Sequence, residues 1–171
     1  MQMIPTKRID HLERLLEVVR GLTTAPDLES FLQTVISEAS EMTDSELASI
    51  LEYDDAAKEL RFLAMQWFDR DLLRPMGVPL EGSAAGWVYR KGQNLIIQDT
   101  KVDQRHFKTV DRVTKHTTHS LAAVPLIVGG EVIGVLETLN KKDSAHYTEE
   151  DLTILETLGA LAAQAMQNIA L

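Results

Sequence analysis

Two apolar runs separated by Gly129-Gly130 constrain this chain more than any other feature. Ser120 to Val128 reads as one strand and Glu131 to Leu139 as its return, because paired glycines supply the positive φ angles of a two-residue hairpin turn. The outgoing strand is apolar on both faces: Leu121, Ala123 and Ile127 on one, Ala122, Val124, Leu126 and Val128 on the other. Such a strand needs cover on both sides, so this hairpin belongs inside a layered structure. Pro125 cannot donate to the ladder, which predicts a bulge or a missing partner there.

The remaining pattern supplies the layers. Ile4 to Arg20 reads as a helix with Ile9, Leu12, Leu16 and Val19 on one stripe, stopped by Gly21. After a polar link through Pro26, Asp27 caps a second helix to about Met42, striped by Leu28, Leu32, Val35, Ala39 and Met42 and widened by Phe31 and Ile36. Leu47 to Tyr53 and Leu60 to Trp67 form another hairpin around Asp54 to Lys58. Arg70 to Gly82 reads as a connection. Ser83 then caps a short helix ending near Lys91-Gly92, and Leu95 to Ile97 is a brief strand reaching Asp99. Thr100 to His119 is polar, with a short helix expected at roughly Arg105 to Lys115. From Thr148-Glu149-Glu150-Asp151, where a hydroxyl caps and acids meet the positive end, a last helix runs to about Ala170. Its Leu152, Leu155, Gly159, Ala162, Met166 and Ile169 recur in steps of three and four. Hairpins flanked by helices imply an α+β fold, an antiparallel sheet with helices packed on it.

Composition narrows the function. The 171 residues suit one domain. Cysteine is absent, which excludes disulfides, zinc-cysteine sites and thiol nucleophiles. A net charge of −9 argues against nucleic acid and against anionic lipid, both of which demand clustered cations. No apolar run approaches the ~20 residues of a membrane span, and the N-terminus lacks the apolar core of a signal peptide. A cytoplasmic location is expected.

Leu80 to Val88, Leu95 to Asp99, Thr118 to Leu126, and Ile133 to Glu137 followed by Asn140-Lys141 and Tyr147 to Asp151 stand as four stretches in order. Together they resemble the GAF domain, a small-molecule sensor module of signalling proteins. The resemblance covers nearly everything from Asp27 to Asn168. It implies a six-stranded antiparallel sheet, with the first, second and last helices on one face. Short helices and loops between residues 70 and 119 would roof a ligand pocket on the other. Domain organisation follows: residues 1–21 a dimerisation helix, residues 22–171 the GAF domain ending in a long signalling helix.

The resemblance also offers site residues. Phe107, Asp111, Thr114 and Thr118 match the family's pocket roof, which stacks on and hydrogen-bonds a base in nucleotide-binding members. Lys115-His116 stands where Gly-Phe is common, which counts against a purine. Asp111 has a plainer reading, a solvated acid on a helix face. Asn140-Lys141, Tyr147 and Asp151 partly match the cyclic-nucleotide motif, with Tyr for Phe and Leu152 for Glu. The plainer reading pairs Lys141 with Asp151 as a salt bridge. Trp87 and Trp67 either line a pocket or fill the core, and Asp99 stands at the roof's start. His106, His116 and His119 tempt a metal or haem reading, but no second motif fixes a geometry, so no metal or cofactor is expected.

The expected function is regulatory. The chain binds a small molecule and passes a helix rearrangement to an effector, such as a kinase or cyclase beyond Leu171, in a signalling protein of the two-component kind. The alternative is a ligand-free dimerisation scaffold. Catalysis is not expected, since no nucleophile, base and orienting group converge. A homodimer through the first and last helices is expected, as is a roof at residues 99–119 that orders when ligand binds.

Overall fold

The computed structural model describes residues 6–66, 71, 75–105 and 107–170. Ile4, Trp67, Arg70, His106 and Leu171, named above, lie outside these residues. In chain order the elements are α1 (Thr6–Thr24), α2 (Leu28–Met42), β1 (Ser45–Asp54), β2 (Glu59–Met65), β3 (Gly77–Val78), α3 (Ala84–Lys91), β4 (Leu95–Ile97), α4 (Thr109–Thr114), β5 (Leu121–Val128), β6 (Glu131–Lys141) and α5 (Glu149–Ala170). The strands form one six-stranded sheet in the order β3-β2-β1-β6-β5-β4. Every neighbouring pair is antiparallel.

Period-two alternation divides the sheet into two apolar faces. Ile50, Ala122, Val124, Leu126 and Leu136 meet Leu32, Val35, Ile36 and Ala39 of α2 and Leu155, Leu158 and Ala162 of α5. On the other face Leu51, Phe62, Leu121, Ala123 and Val135 meet Ala84, Ala85 and Val88 of α3. The double cover required of β5 is present: Leu121, Ala122, Ala123 and Val124 are at most 1% exposed. It ends at Ile127, which is exposed. Pairing with β6 shifts between Leu126 and Ile127, just after Pro125.

The last helix is locked to the sheet at its start. Thr148 and Asp151 form a reciprocal cap: Asp151 N–H donates to Thr148 Oγ1 at 3.2 Å, and Thr148 N–H donates to Asp151 Oδ2 at 3.0 Å. Lys141 Nζ reaches the same carboxylate oxygen at 2.8 Å and the Thr43 carbonyl at 2.7 Å. The salt-bridge reading of Lys141 and Asp151 is therefore what the structure contains. Asp151 is buried and Lys141 largely so, their side chains 7% and 11% exposed.

Three sequence expectations shift. The first helix passes Gly21 and ends at Thr24, because Leu22 packs onto the core and the Thr23 and Thr24 hydroxyls donate back to the Arg20 carbonyl. Tertiary packing outweighs the glycine's propensity, and the stop falls at the segment before Pro26. The helix expected at Arg105 to Lys115 shrinks to Thr109–Thr114, since Asp103 holds Arg105 in a local turn through its N–H and its guanidinium. The connection at 70–82 contributes an edge strand, with Val78 opposite Leu60 and Gly77 opposite Arg61.

Candidate functional site

A partly open pocket lies between the sheet, α3 and α4. Its floor comes from alternate residues of the central strands: Leu47, Ser49 and Leu51 of β1, Glu137 and Leu139 of β6, and Leu121 of β5. Phe62 and Met65 close one side.

The α3 wall is set by local chemistry. Ser83 Oγ accepts the Gly86 N–H at 2.9 Å and donates to the Pro79 carbonyl at 2.5 Å, capping the helix and tying it to the preceding loop. A Cβ at Gly86 would stand 2.3 Å from the Leu80 carbonyl oxygen, so only glycine lets the helix sit this low. That seating brings Ala84 and Ala85 to the cavity wall.

The roof is Phe107, Val110, Asp111 and Thr118. Asp111 Oδ2 accepts the Thr118 N–H at 2.9 Å, and Oδ1 accepts the Thr118 hydroxyl at 2.8 Å. This pair of hydrogen bonds staples α4 to the segment entering β5. The segment itself is pinned from behind. Thr100 Oγ1 donates to the Thr118 carbonyl at 2.6 Å, and Asn140 Oδ1 accepts the His119 N–H at 2.6 Å. Asn140 adopts a positive φ of 61°, and its amide also donates to Glu46 and the Thr117 carbonyl.

The cavity volume is about 60 Å³, room for a handful of water molecules. Its walls are mainly apolar, with Ser49, Ser83, Asp111, Thr118 and Glu137 as the polar members. Glu137 is 9% exposed and accepts from Ser49 Oγ at 3.1 Å. No basic side chain lines the cavity among the described residues. The chamber therefore suits a small apolar body carrying N–H or O–H donors, and it offers no cationic side chain to an inward-facing phosphate.

Three of the six sequence candidates meet at this wall: Phe107, Asp111 and Thr118. The other three do not line it. Trp87 is half-buried in the same apolar cluster, and the Arg105 guanidinium lies 4.9 Å over its ring. Thr114 donates to the Val110 carbonyl within α4 and accepts the His116 N–H. Asp99 is exposed and accepts the Lys101 N–H at 2.9 Å. Asp111 is a half-buried staple and not the solvated helix acid of the plainer reading.

Glu137 and Ser49 were missed as site residues, although a signal existed. In β6, Val135, Glu137 and Leu139 share a face by period two, so a carboxylate interrupts an apolar floor. Tyr147, the Phe substitute of the cyclic-nucleotide motif, is structural. Its hydroxyl meets Ser45 Oγ at 2.7 Å. Burial pushes its phenol up to about 12, against hydrogen bonds that favour the ionised form. His116 Nε2 lies 3.3 Å from Glu46. Among the described residues no three His, Asp or Glu gather with metal-binding proximity, and no helix is long and apolar enough to cross a membrane.

Comparison with known proteins places this architecture. The dual 3',5'-cyclic-AMP and -GMP phosphodiesterase 11A of Takifugu rubripes is 27% identical over 93% of this chain and 19% of its own length. A probable 3',5'-cyclic phosphodiesterase of Caenorhabditis elegans is 24% identical over 90% of this chain and 22% of its own. The chain thus spans about a fifth of these curated relatives. The GAF domain from a phosphoenolpyruvate-protein phosphotransferase of Coxiella burnetii superposes with a TM-score of 0.83, at 19% identity and 96% coverage of both chains. A free methionine-R-sulfoxide reductase of Neisseria meningitidis gives 0.77, at 17% identity, covering 98% of this chain and 94% of that one. At these identities the solved structures speak for the fold alone. A family model described as the GAF domain matches residues 25–167, and the chain belongs to the GAF domain family.

Proposed function

We propose that this chain is the sensor module of a larger cytoplasmic signalling protein, holding a small molecule in the chamber beneath α4. GAF domains are small-molecule sensor modules of signalling proteins, and the chain's span of about a fifth of its curated relatives supports an effector elsewhere in the same protein. The chamber roofed by the Asp111–Thr118 staple carries the reading. Phe107, Asp111 and Thr118 are the contacting residues we assign, joined by Ser49 and Glu137 from the floor. Thr114 supports the roof from outside through the Val110 carbonyl, while Trp87 and Asp99 lie off the chamber wall.

The route to an effector is one strand thick. Leu121 faces the chamber, while Val124 and Leu126 of the same strand face α5 at Gly159. Ligand that lifts or seats the roof shifts β5, and α5 rides on β5. The output helices we assign are α5 and α1, with residues 1–21 forming a dimerisation arm. Ile9, Leu12, Leu16 and Val19 stand 42–55% exposed on α1, although Val18 on its other side is buried and Leu15 and Leu22 pack on the core. A helix apolar on both sides calls for a second surface, and another copy of α1 supplies one. The last helix, expected to share that interface, spends its seam on the sheet: Leu152, Leu155 and Ala162 are buried. The dimer reading therefore rests on α1.

The module is regulatory and not catalytic in this proposal. Absence of cysteine removes thiol-based sulfoxide reduction, and purified protein is expected to turn over neither methionine sulfoxide nor cyclic nucleotides. The narrowness of the chamber, about 60 Å³, favours the ligand-free scaffold as the second reading. Native mass spectrometry of freshly purified protein separates the two. A co-purified small molecule, lost in a chamber-filling Ala85→Leu variant, supports the sensor. A bare dimer in both supports the scaffold.

A further inference from the structure

Outside the chamber, on the far side of the Asp111–Thr118 staple, lies an open cleft of about 450 Å³ lined by Lys101, Lys108, Arg112 and Lys115. This concentration runs against the chain's net charge of −9. Basic residues elsewhere are mostly neutralised: Arg14, Arg20, Lys58, Arg61, Arg90, Arg105 and Lys141 each pair with a carboxylate. The four in the cleft form no ion pair among the described residues. Of the acids nearby, Asp103 is committed to Arg105, while Asp111 lines the cleft and takes neutral donors from Thr118, so four cations stand against one carboxylate there. The floor hydroxyls are committed too, since Thr100 and Thr118 donate to the Thr118 carbonyl and to Asp111. Four exposed cations around one hollow, with Asp111 the one carboxylate among its lining residues, leave a net positive field that favours an anion. Several donors around one space match a multiply charged phosphoryl group better than a single carboxylate.

We propose that this cleft is a binding site for the phosphoryl group of a small molecule, distinct from the apolar chamber. Asp111 and Thr118 line both spaces. An anion drawn to Arg112 and Lys115 therefore bears on the same staple that roofs the chamber. Only this coupling rests on the sensor reading. The anion site stands or falls by itself.

The test is a titration of the isotope-labelled chain with inorganic pyrophosphate, followed by amide NMR shifts. The site predicts saturable shifts centred on Lys101, Lys108, Arg112 and Lys115. It also predicts affinity about tenfold or more weaker in an Arg112→Gln/Lys115→Gln variant, because removing a single charged hydrogen bond weakens binding by about that factor. Lys142→Gln should leave affinity unchanged. Sodium chloride of equal ionic strength producing the same shifts overturns the proposal, as does unchanged affinity in the double variant. A poly-glutamate peptide moving these amides when pyrophosphate does not would reassign the cleft to an acidic protein partner and overturn it equally. Saturable pyrophosphate binding combined with no small molecule in the chamber would uphold this site while the sensor reading fails.

Discussion

Lys141 and Asp151 show how a motif that resembles ligand chemistry can be architecture. Their 2.8 Å pair is largely buried and shares its carboxylate with the cap of α5. Asp151→Ala strands a buried ammonium and opens the cap, so urea unfolding should show a loss of roughly 3–5 kcal/mol. Lys141→Met should cost less, since Asp151 keeps the Thr148 N–H. Ser83→Ala removes the α3 cap and one tie to Pro79, with an expected loss of about 1–2 kcal/mol in the same assay. Tyr147 sets an alkaline limit. Folded, its phenol holds the proton up to about pH 12, whereas an unfolded tyrosine releases it near pH 10. The folded state thus binds more protons in that window. This contribution is complete below about pH 10 and is lost as pH rises through 12. Tyr147→Phe should flatten the fall in thermal stability across those values.

The helices α2 and α5 were legible because each presents one apolar stripe to the sheet, whereas on α1 the stripe read from sequence, Ile9, Leu12, Leu16 and Val19, is exposed and Leu15, Val18 and Leu22 meet the core instead. The Gly129-Gly130 hairpin was legible because its turn chemistry is local. β3 was not legible: two residues, Gly77 and Val78, become a strand only by lying against β2, and no local pattern announces a distant partner. The shortened α4 was misread because the polar run 100–119 has no stripe, and its shape is fixed by side-chain bonds such as Asp111 to Thr118. Glu137 was legible by period two yet passed over. Its role depends on which face holds the chamber, a tertiary fact. At this scale α1 carries the sharpest prediction. Leu16→Glu, at a position 55% exposed, should weaken self-association while circular dichroism of the sheet is unchanged. Sedimentation of the unaltered chain as a monomer at roughly tens of micromolar, where weak interfaces still register, contradicts the dimer.

The whole molecule is a sheet used on both faces, with the long helices packed behind it and a roofed chamber in front. β5 is the shared wall, and the layout explains why its sequence is apolar on both sides. The central claim is that the roof closes over a small molecule. Amide hydrogen exchange tests it most directly, on protein stripped of small molecules by unfolding and refolding and then exposed to a small-molecule extract of cells. Roofing segments belong to the low-stability end of a structure. Residues 107–119 should exchange much faster than Leu121–Val128 in the stripped protein, and should slow when the extract is added. Protection of 107–119 equal to that of β5 in stripped protein, unchanged by the extract, would contradict the sensor and leave a chamber closed by its own side chains.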